Sequence, residues 1–126
     1  MELRSHLSRA RGFGSTNDGV NHWWKQRLTG IALVPLVLWF VMSAVHLVGV
    51  ELAEFKEWVG SNANPVLLIL LIFFLLYHGL LGLQVVIEDY IHREILKLTL
   101  IILAQFCVII FGSYSIFAVM QLTFGD

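Results

Sequence analysis

Charged side chains are scarce in this sequence. Only 13% of its 126 residues are Asp, Glu, Lys or Arg, while 58% are hydrophobic, and the mean hydropathy is +0.80. A soluble domain is about one-quarter charged, and a small domain has a large surface relative to its volume. So few charges exclude an ordinary soluble domain and indicate that much of the surface faces lipid.

Cysteine is almost absent as well. The single Cys107 lies in an apolar stretch, which excludes an internal disulfide and a cysteine metal cluster. The length allows one small domain. The net charge of −1 says almost nothing about partners, and we expect no nucleic acid among them.

Three stretches contain no Asp, Glu, Lys or Arg, namely 28–50, 65–87 and 98–125. Each is long enough to cross a hydrocarbon core, which needs about 20 helical residues. A lipid-exposed open sheet could not satisfy its backbone groups, so helices are expected. The sequence therefore predicts an all-α, three-helix transmembrane bundle, with spans at about 28–50, 65–87 and 98–122 inside an anchor of residues 28–125. Short linkers make neighbouring helices antiparallel and leave no separate soluble domain.

The positive charges predict the orientation of the chain. Seven of the eight Lys and Arg residues precede the first span or lie between the second and third, and only Lys56 lies on the other side. Lys and Arg are retained on the cytoplasmic side of short loops. We therefore expect residues 1–27 to form a cytoplasmic or matrix segment. Its Arg- and Ser-containing beginning also resembles a mitochondrial targeting segment.

His78 lies deep in the second apolar stretch, about 13 Å from its inner end at helical rise. An ionisable group in hydrocarbon is costly and usually faces a partner or a cofactor. Gly82 follows one turn later on nearly the same helix face as His78. Asp89 lies within about 20° of His78 around the helix axis. A neutral imidazole beside small residues suits axial ligation of haem iron. It suits a hydrogen bond between two helices equally well.

His46 is expected to have a different role. It lies four residues from the outer end of the first span, so its depth differs from that of His78 by roughly 13 Å. One iron atom could not bind both side chains. We therefore expect His46 to form an interfacial or interhelical hydrogen bond, and a six-coordinate haem at His78 to take its other ligand from another chain.

Polar and aromatic residues gather where segment 22–27 faces segment 88–93. Arg27, the last charge before the lipid core, can reach an anionic group such as a haem propionate or extend to the interface. Tyr90, with Asp89 beside it, offers a phenol to the carbonyl of a quinone. A tyrosine of an aromatic belt would occupy the same depth. Together these residues predict one pocket at the inner boundary.

These features resemble a known family, the small cytochrome b membrane-anchor subunits of succinate dehydrogenase, respiratory complex II. The resemblance covers nearly the whole chain, beginning with the segment HWWKQRLTG at 22–30. Its centre is His78 followed, after ten residues, by Asp89 and Tyr90. The head Gly12-Phe13-Gly14-Ser15 is most similar to the alphaproteobacterial or mitochondrial-type branch.

The resemblance implies a role for each candidate residue. His78 would ligate the iron of haem b, and Arg27 and His22 would approach the haem propionates. Tyr90 would donate a hydrogen bond to ubiquinone, and Asp89 would support that site or its proton supply. The other haem ligand would come from the larger anchor subunit.

The resemblance also implies partners and a location. The chain would be a multi-pass subunit of a bacterial or mitochondrial inner membrane, with a larger cytochrome b subunit, an iron–sulfur subunit, a flavoprotein subunit and lipid as partners. Complexes could associate further. It would perform no succinate chemistry itself, so no catalytic residue is expected.

Two other functions fit part of the pattern. A small transporter subunit would normally need an intramembrane carboxylate or cation, and none of the three stretches has one. A cofactor-free anchor or assembly subunit of a related complex would leave His78 without iron. A measurement of haem absorbance would distinguish this cofactor-free subunit from a cytochrome b anchor subunit.

Overall fold

The structure is a computed structural model that describes the backbone of residues 15–125 and the side chains of residues 19–125. Residues 15–125 form four helices: α1 (Ser15–His46), α2 (Leu52–Gly60), α3 (Asn64–Tyr90) and α4 (Glu94–Phe124). Three helices are long and apolar enough to cross a membrane: Gly19–His46 within α1, α3 and α4. The prediction of an all-α bundle with three membrane helices is confirmed. The residues 1–14 of the expected N-terminal segment, including most of the Gly12–Ser15 head, lie outside the described part.

Helix α3 is the centre of the bundle. Helices α1 and α4 both pack along α3, and within residues 15–125 the backbones of α1 and α4 do not approach each other. The α1–α3 pair is antiparallel, with Gly30 beside His78 and Gln26 beside Gly82. A wedge-shaped groove, here called the wedge, therefore lies between α1 and α4, and α3 forms its floor.

The α1–α3 contact has a small core of leucines. Leu33, Leu36 and Leu71 are buried, and Leu67 and Phe74 pack against them. These positions recur three or four residues apart, so they share one face of each helix. Since lipid is as apolar as leucine, the contact is stabilised by close packing rather than by removal of water.

Helix α4 approaches α3 closely at a glycine. A Cβ atom added to Gly112 would lie 3.1 Å from the Cδ1 atom of Leu76. A larger residue at 112 would push the two helices apart or displace Leu76. The absence of a side chain at this position thus sets the α3–α4 separation.

Helix α2 was not predicted from the sequence, which indicated only a short linker between the first and second spans. Phe55, Trp58 and Val59 are spaced to share one helix face, and Val59 is only 1% exposed. The Trp58 ring stacks on Trp39 of α1 with 5.9 Å between centroids. The acidic residues of α2 lie on its exposed face. A short amphipathic helix therefore covers this end of the bundle.

The turn from α2 to α3 is fixed by hydrogen bonds to one carbonyl. The oxygen of Trp58 accepts from Ser61 Oγ at 2.9 Å and from Asn64 Nδ2 at 2.7 Å. Asn62 adopts a left-handed conformation with φ of 52°, which asparagine tolerates better than most residues. Pro65 follows in the first turn of α3, as its position in the sequence predicts.

Truncation of a buried leucine should weaken the α1–α3 contact. Leu36→Ala should lower the free energy of unfolding by about 2 kcal/mol, because it leaves a cavity against Leu71. Leu38, on the same helix but 60% exposed, is the matched control, and Leu38→Ala should have a much smaller effect. The measurement is titration of the purified protein with SDS, followed by circular dichroism. Equal losses in the two variants would contradict this packing.

Candidate functional site

His78 lies at the contact between α3 and α1. Its ring is half-buried and faces Gly30, where an added Cβ atom would lie 3.4 Å from Cε1 and 3.9 Å from Nδ1. A branched side chain at position 30 would extend further into the space of the ring. Gly30 therefore lets the α1 backbone approach the imidazole closely.

Thr29 holds the imidazole at Nδ1. The threonine is only 4% exposed, and its Oγ1 atom lies 2.9 Å from His78 Nδ1. The same oxygen lies 2.8 Å from the carbonyl oxygen of Lys25 and 3.0 Å from that of Gln26. Three groups thus surround one hydroxyl that has a single proton to donate.

The surroundings of Thr29 assign the imidazole tautomer. Carbonyl oxygens only accept hydrogen bonds, so the hydroxyl donates along α1 to Lys25 or Gln26. Its lone pair then accepts the Nδ1–H of His78, which satisfies more groups than any other arrangement. A neutral imidazole protonated at Nδ1 has its lone pair at Nε2. Within the described residues Nε2 forms no hydrogen bond, and it points away from Thr29.

The side of α1 that carries Gly30 and the opposite side of the helix bear different residues. At 100° per residue, Trp23 lies within about 20° of Gly30 and Arg27 within about 60°. Asn21 and Lys25 lie about 180° and 140° from Gly30. The ring meets Thr29 at Nδ1 and Gly30 at Cε1, and the Gly30 side of α1 also carries Arg27.

Arg27 is exposed and rests on an aromatic ring. Its Cζ atom lies 5.4 Å from the centroid of the Trp23 ring, a distance at which the ring face attracts the cation. Trp23 in turn meets Trp24 edge-on at 5.1 Å. The guanidinium is therefore held on the Gly30 side of α1 while its N–H donors remain available to an anionic group.

His22 lies on the face of α1 that packs against α3, about 20° from Thr29 and about 140° from Arg27 around the helix axis. Its Nε2 atom is buried and has no hydrogen-bond partner among the described residues. The side chain lines a cleft toward α4 together with Gln84 and Gln105. The structure thus separates His22 from Arg27, which the sequence analysis grouped together.

Asp89 and Tyr90 lie at the end of α3. Both are exposed, Tyr90 by 76%. Twelve residues of helix separate Tyr90 from His78, which corresponds to about 18 Å along the axis. The antiparallel register places this end of α3 level with the beginning of α1. The described residues therefore do not bring Tyr90 to His78, and its phenol remains available at the bundle surface.

His46 is the last residue of α1 and is exposed. Sixteen residues separate it from Gly30, the neighbour of His78, which corresponds to about 24 Å along the helix. The separation exceeds the roughly 13 Å expected from the sequence, because the register of the two helices places Gly30 level with His78 instead of aligning Val50 with Pro65. The two histidines do not share one site.

The chain matches the family model for the succinate dehydrogenase/fumarate reductase transmembrane subunit over residues 1–112. The chain belongs to this family. The resemblance found in the sequence is confirmed, and the chain is a multi-pass transmembrane subunit of the complex II class that carries no catalytic chemistry of its own.

Named relatives of the family cover most of the chain. A succinate dehydrogenase hydrophobic membrane anchor subunit of Rickettsia conorii is 34% identical over 86% of this chain and 87% of its own. That of Rickettsia bellii is 35% identical, over 80% and 81% respectively. A succinate dehydrogenase membrane anchor subunit of Reclinomonas americana is 29% identical over 74% and 80%. No solved structure matches the chain significantly.

Two residues of this family member were missed by sequence reasoning. Thr29 and Gly30 lie inside the quoted segment 22–30, but no role was predicted for either. Their importance depends on the register between α1 and α3, which the sequence does not show. The one available signal is a threonine next to a glycine in an apolar helix, a pair that permits a close polar contact.

The Thr29 hydroxyl should contribute more to the free energy of unfolding than an ordinary threonine hydroxyl. Thr29→Val keeps the shape but leaves the Nδ1–H of His78 unpaired, and should lower the free energy of unfolding by about 1–3 kcal/mol. Thr29→Ser should retain most of the stability. The measurement is SDS titration of the purified protein. Thr99 is the matched control, because its hydroxyl donates only within its own exposed turn, to Ile95, and an equal loss in Thr99→Val would contradict the interhelical bond.

Proposed function

We propose that the chain, as a membrane-anchor subunit of a succinate dehydrogenase, provides one axial ligand of haem b through His78 and part of a ubiquinone site through Tyr90. The observation that supports the haem role is the 2.9 Å contact between Thr29 Oγ1 and His78 Nδ1. It assigns the ring proton to Nδ1 and leaves the Nε2 lone pair for the iron.

The residues around His78 fit such a ligand. A histidine that binds metal usually donates its other ring N–H to a fixed acceptor, which sets the tautomer and the ring orientation. Thr29 supplies that acceptor, and Gly30 leaves room for the ring. An unpaired polar atom in hydrocarbon is costly, so a bound metal would also satisfy Nε2. Haem b, when bound, supplies a one-electron redox centre within the membrane.

The second axial ligand is assigned to another subunit. His46 lies about 24 Å along α1 from the level of His78. Within residues 15–125 no group of three or more His, Cys, Asp or Glu side chains could hold a metal ion. The larger cytochrome b anchor subunit is the partner that this proposal requires. The iron–sulfur and flavoprotein subunits would deliver the electrons from succinate.

Arg27 is the proposed partner of a haem propionate. It lies within about 60° of Gly30 around α1, and its exposed guanidinium can bind a carboxylate through two parallel hydrogen bonds. For His22 the propionate role stays a sequence prediction. It is not part of the proposal, because its Nε2 atom is buried and its side chain lines the cleft toward α4.

Tyr90 and Asp89 are proposed to serve ubiquinone at the end of α3. The exposed phenol can donate a hydrogen bond to a quinone carbonyl oxygen, and this bond strengthens as negative charge develops there during reduction. Reduction of a quinone to a quinol needs two electrons and two protons. The exposed carboxylate of Asp89 can pass protons from the adjoining aqueous phase.

The first test is a reduced-minus-oxidised absorbance spectrum of the complex purified through this chain. His78→Ala should remove the low-spin b-type signal or shift it to high spin, while the partner subunits still copurify. His46→Ala, on the same chain but at the end of α1, should retain the normal spectrum. Absence of haem from the wild-type complex would leave a cofactor-free anchor as the function.

Loss of the Tyr90 hydroxyl should slow quinone reduction. Tyr90→Phe should lower the succinate:ubiquinone reductase rate by about tenfold, as expected for one hydrogen bond to a developing charge. The haem spectrum and succinate oxidation with an artificial acceptor should not change. Tyr114 is the matched control, since it is also 73% exposed but lies in the middle of α4. A normal rate in Tyr90→Phe would contradict the quinone role.

A further inference from the structure

The wedge between α1 and α4 contains a polar cleft at one end, which we name the Lys25 cleft. Its volume is about 400 Å³, and α3 forms its floor. Its polar lining consists of Asn21, His22, Lys25, Tyr77, Gln84 and Gln105. The cleft lies on the side of α1 opposite to Arg27, so it is separate from the proposed haem contact.

The Lys25 cleft offers hydrogen-bond donors and one full positive charge. Lys25 carries the charge, and the amides of Asn21, Gln84 and Gln105 together with the Tyr77 phenol can all donate. No carboxylate is among the described residues that line it. The side chain of His22 also lines the cleft, and its buried Nε2 atom has no hydrogen-bond partner among the described residues. This combination is complementary to an anion.

An apolar groove continues from the cleft. It runs between α3 and α4, has a volume of about 470 Å³ and shares Tyr77, Leu80 and Gln105 with the cleft. Its α4 side extends from Gln105 to Ile116, about 16 Å at helical rise. The small residues Gly112 and Ser113 lie along this side. The cleft and the groove therefore form one site with a polar head and a long apolar tail.

We propose that this site binds an anionic phospholipid, with its phosphate in the Lys25 cleft and one acyl chain along the α3–α4 groove. Asn21 and Lys25 precede the first charge-free stretch, so the cleft lies at the polar boundary of the bilayer, where lipid phosphates are found. The groove runs from there toward the middle of the membrane, as an acyl chain does. Ubiquinone has a similar tail but no charge for Lys25 to neutralise.

The test measures how much dioleoylphosphatidylglycerol the intact complex retains. The complex is reconstituted with this lipid and returned to detergent, and the bound lipid is then measured by native mass spectrometry. The wild-type complex should retain the lipid, and Lys25→Gln should lower the apparent affinity about tenfold. Lys97 is the matched control, because Lys97→Gln removes the same charge from the same end of the bundle without lining the cleft. The haem spectrum should be unchanged in both variants, which separates this site from the proposed function.

A second variant tests the tail. Ser113→Phe fills the groove without altering the cleft, and should also reduce lipid retention. Equal retention in the wild type, Lys25→Gln and Lys97→Gln would overturn the proposal. So would displacement of the lipid by excess ubiquinone, which would make the site a quinone site, or by inorganic phosphate, which would make it a free-anion site. Failure of the wild-type complex to retain the lipid would also overturn the proposal.

Discussion

The hydrogen bond between Thr29 and His78 is the constraint on which the rest of this site depends. It is the polar link between α1 and α3, and it can form only because Gly30 allows the α1 backbone to approach the imidazole. The same bond fixes the ring proton, the orientation of Nε2 and the register of the two helices. A shift of one residue along either helix would break it and would also misplace the leucines packed beyond it.

The sequence predicted the membrane helices well, because long stretches without charge have few other stable structures in lipid. It did not predict α2, since exposed acidic residues made a nine-residue amphipathic helix look like a polar loop. It also grouped His22 with Arg27, although five residues on a helix correspond to about 140°. Thr29 acquires its role only through a neighbour 49 residues away, which no local pattern in the sequence reveals.

The central position of α3 gives the molecule two separate surfaces. Because α1 and α4 both pack on α3 while their backbones stay apart within residues 15–125, the side of α1 that carries Arg27 and the side that carries Lys25 have different surroundings. A redox partner can bind on one side and lipid on the other without competing for the same surface. A four-helix arrangement in which α1 and α4 met would have closed the wedge and lost this separation.

The α2 helix affects how readily water and ions can enter one end of the bundle. The stacked rings of Trp39 and Trp58 and the buried Val59 close their end of the wedge with apolar groups, and the cavity of about 380 Å³ beneath them is lined almost wholly by hydrocarbon. Apolar cavities of this kind stay dry. The α2 end of the bundle is therefore apolar and unfavourable for water and ions, whereas the Tyr90 end carries exposed polar side chains.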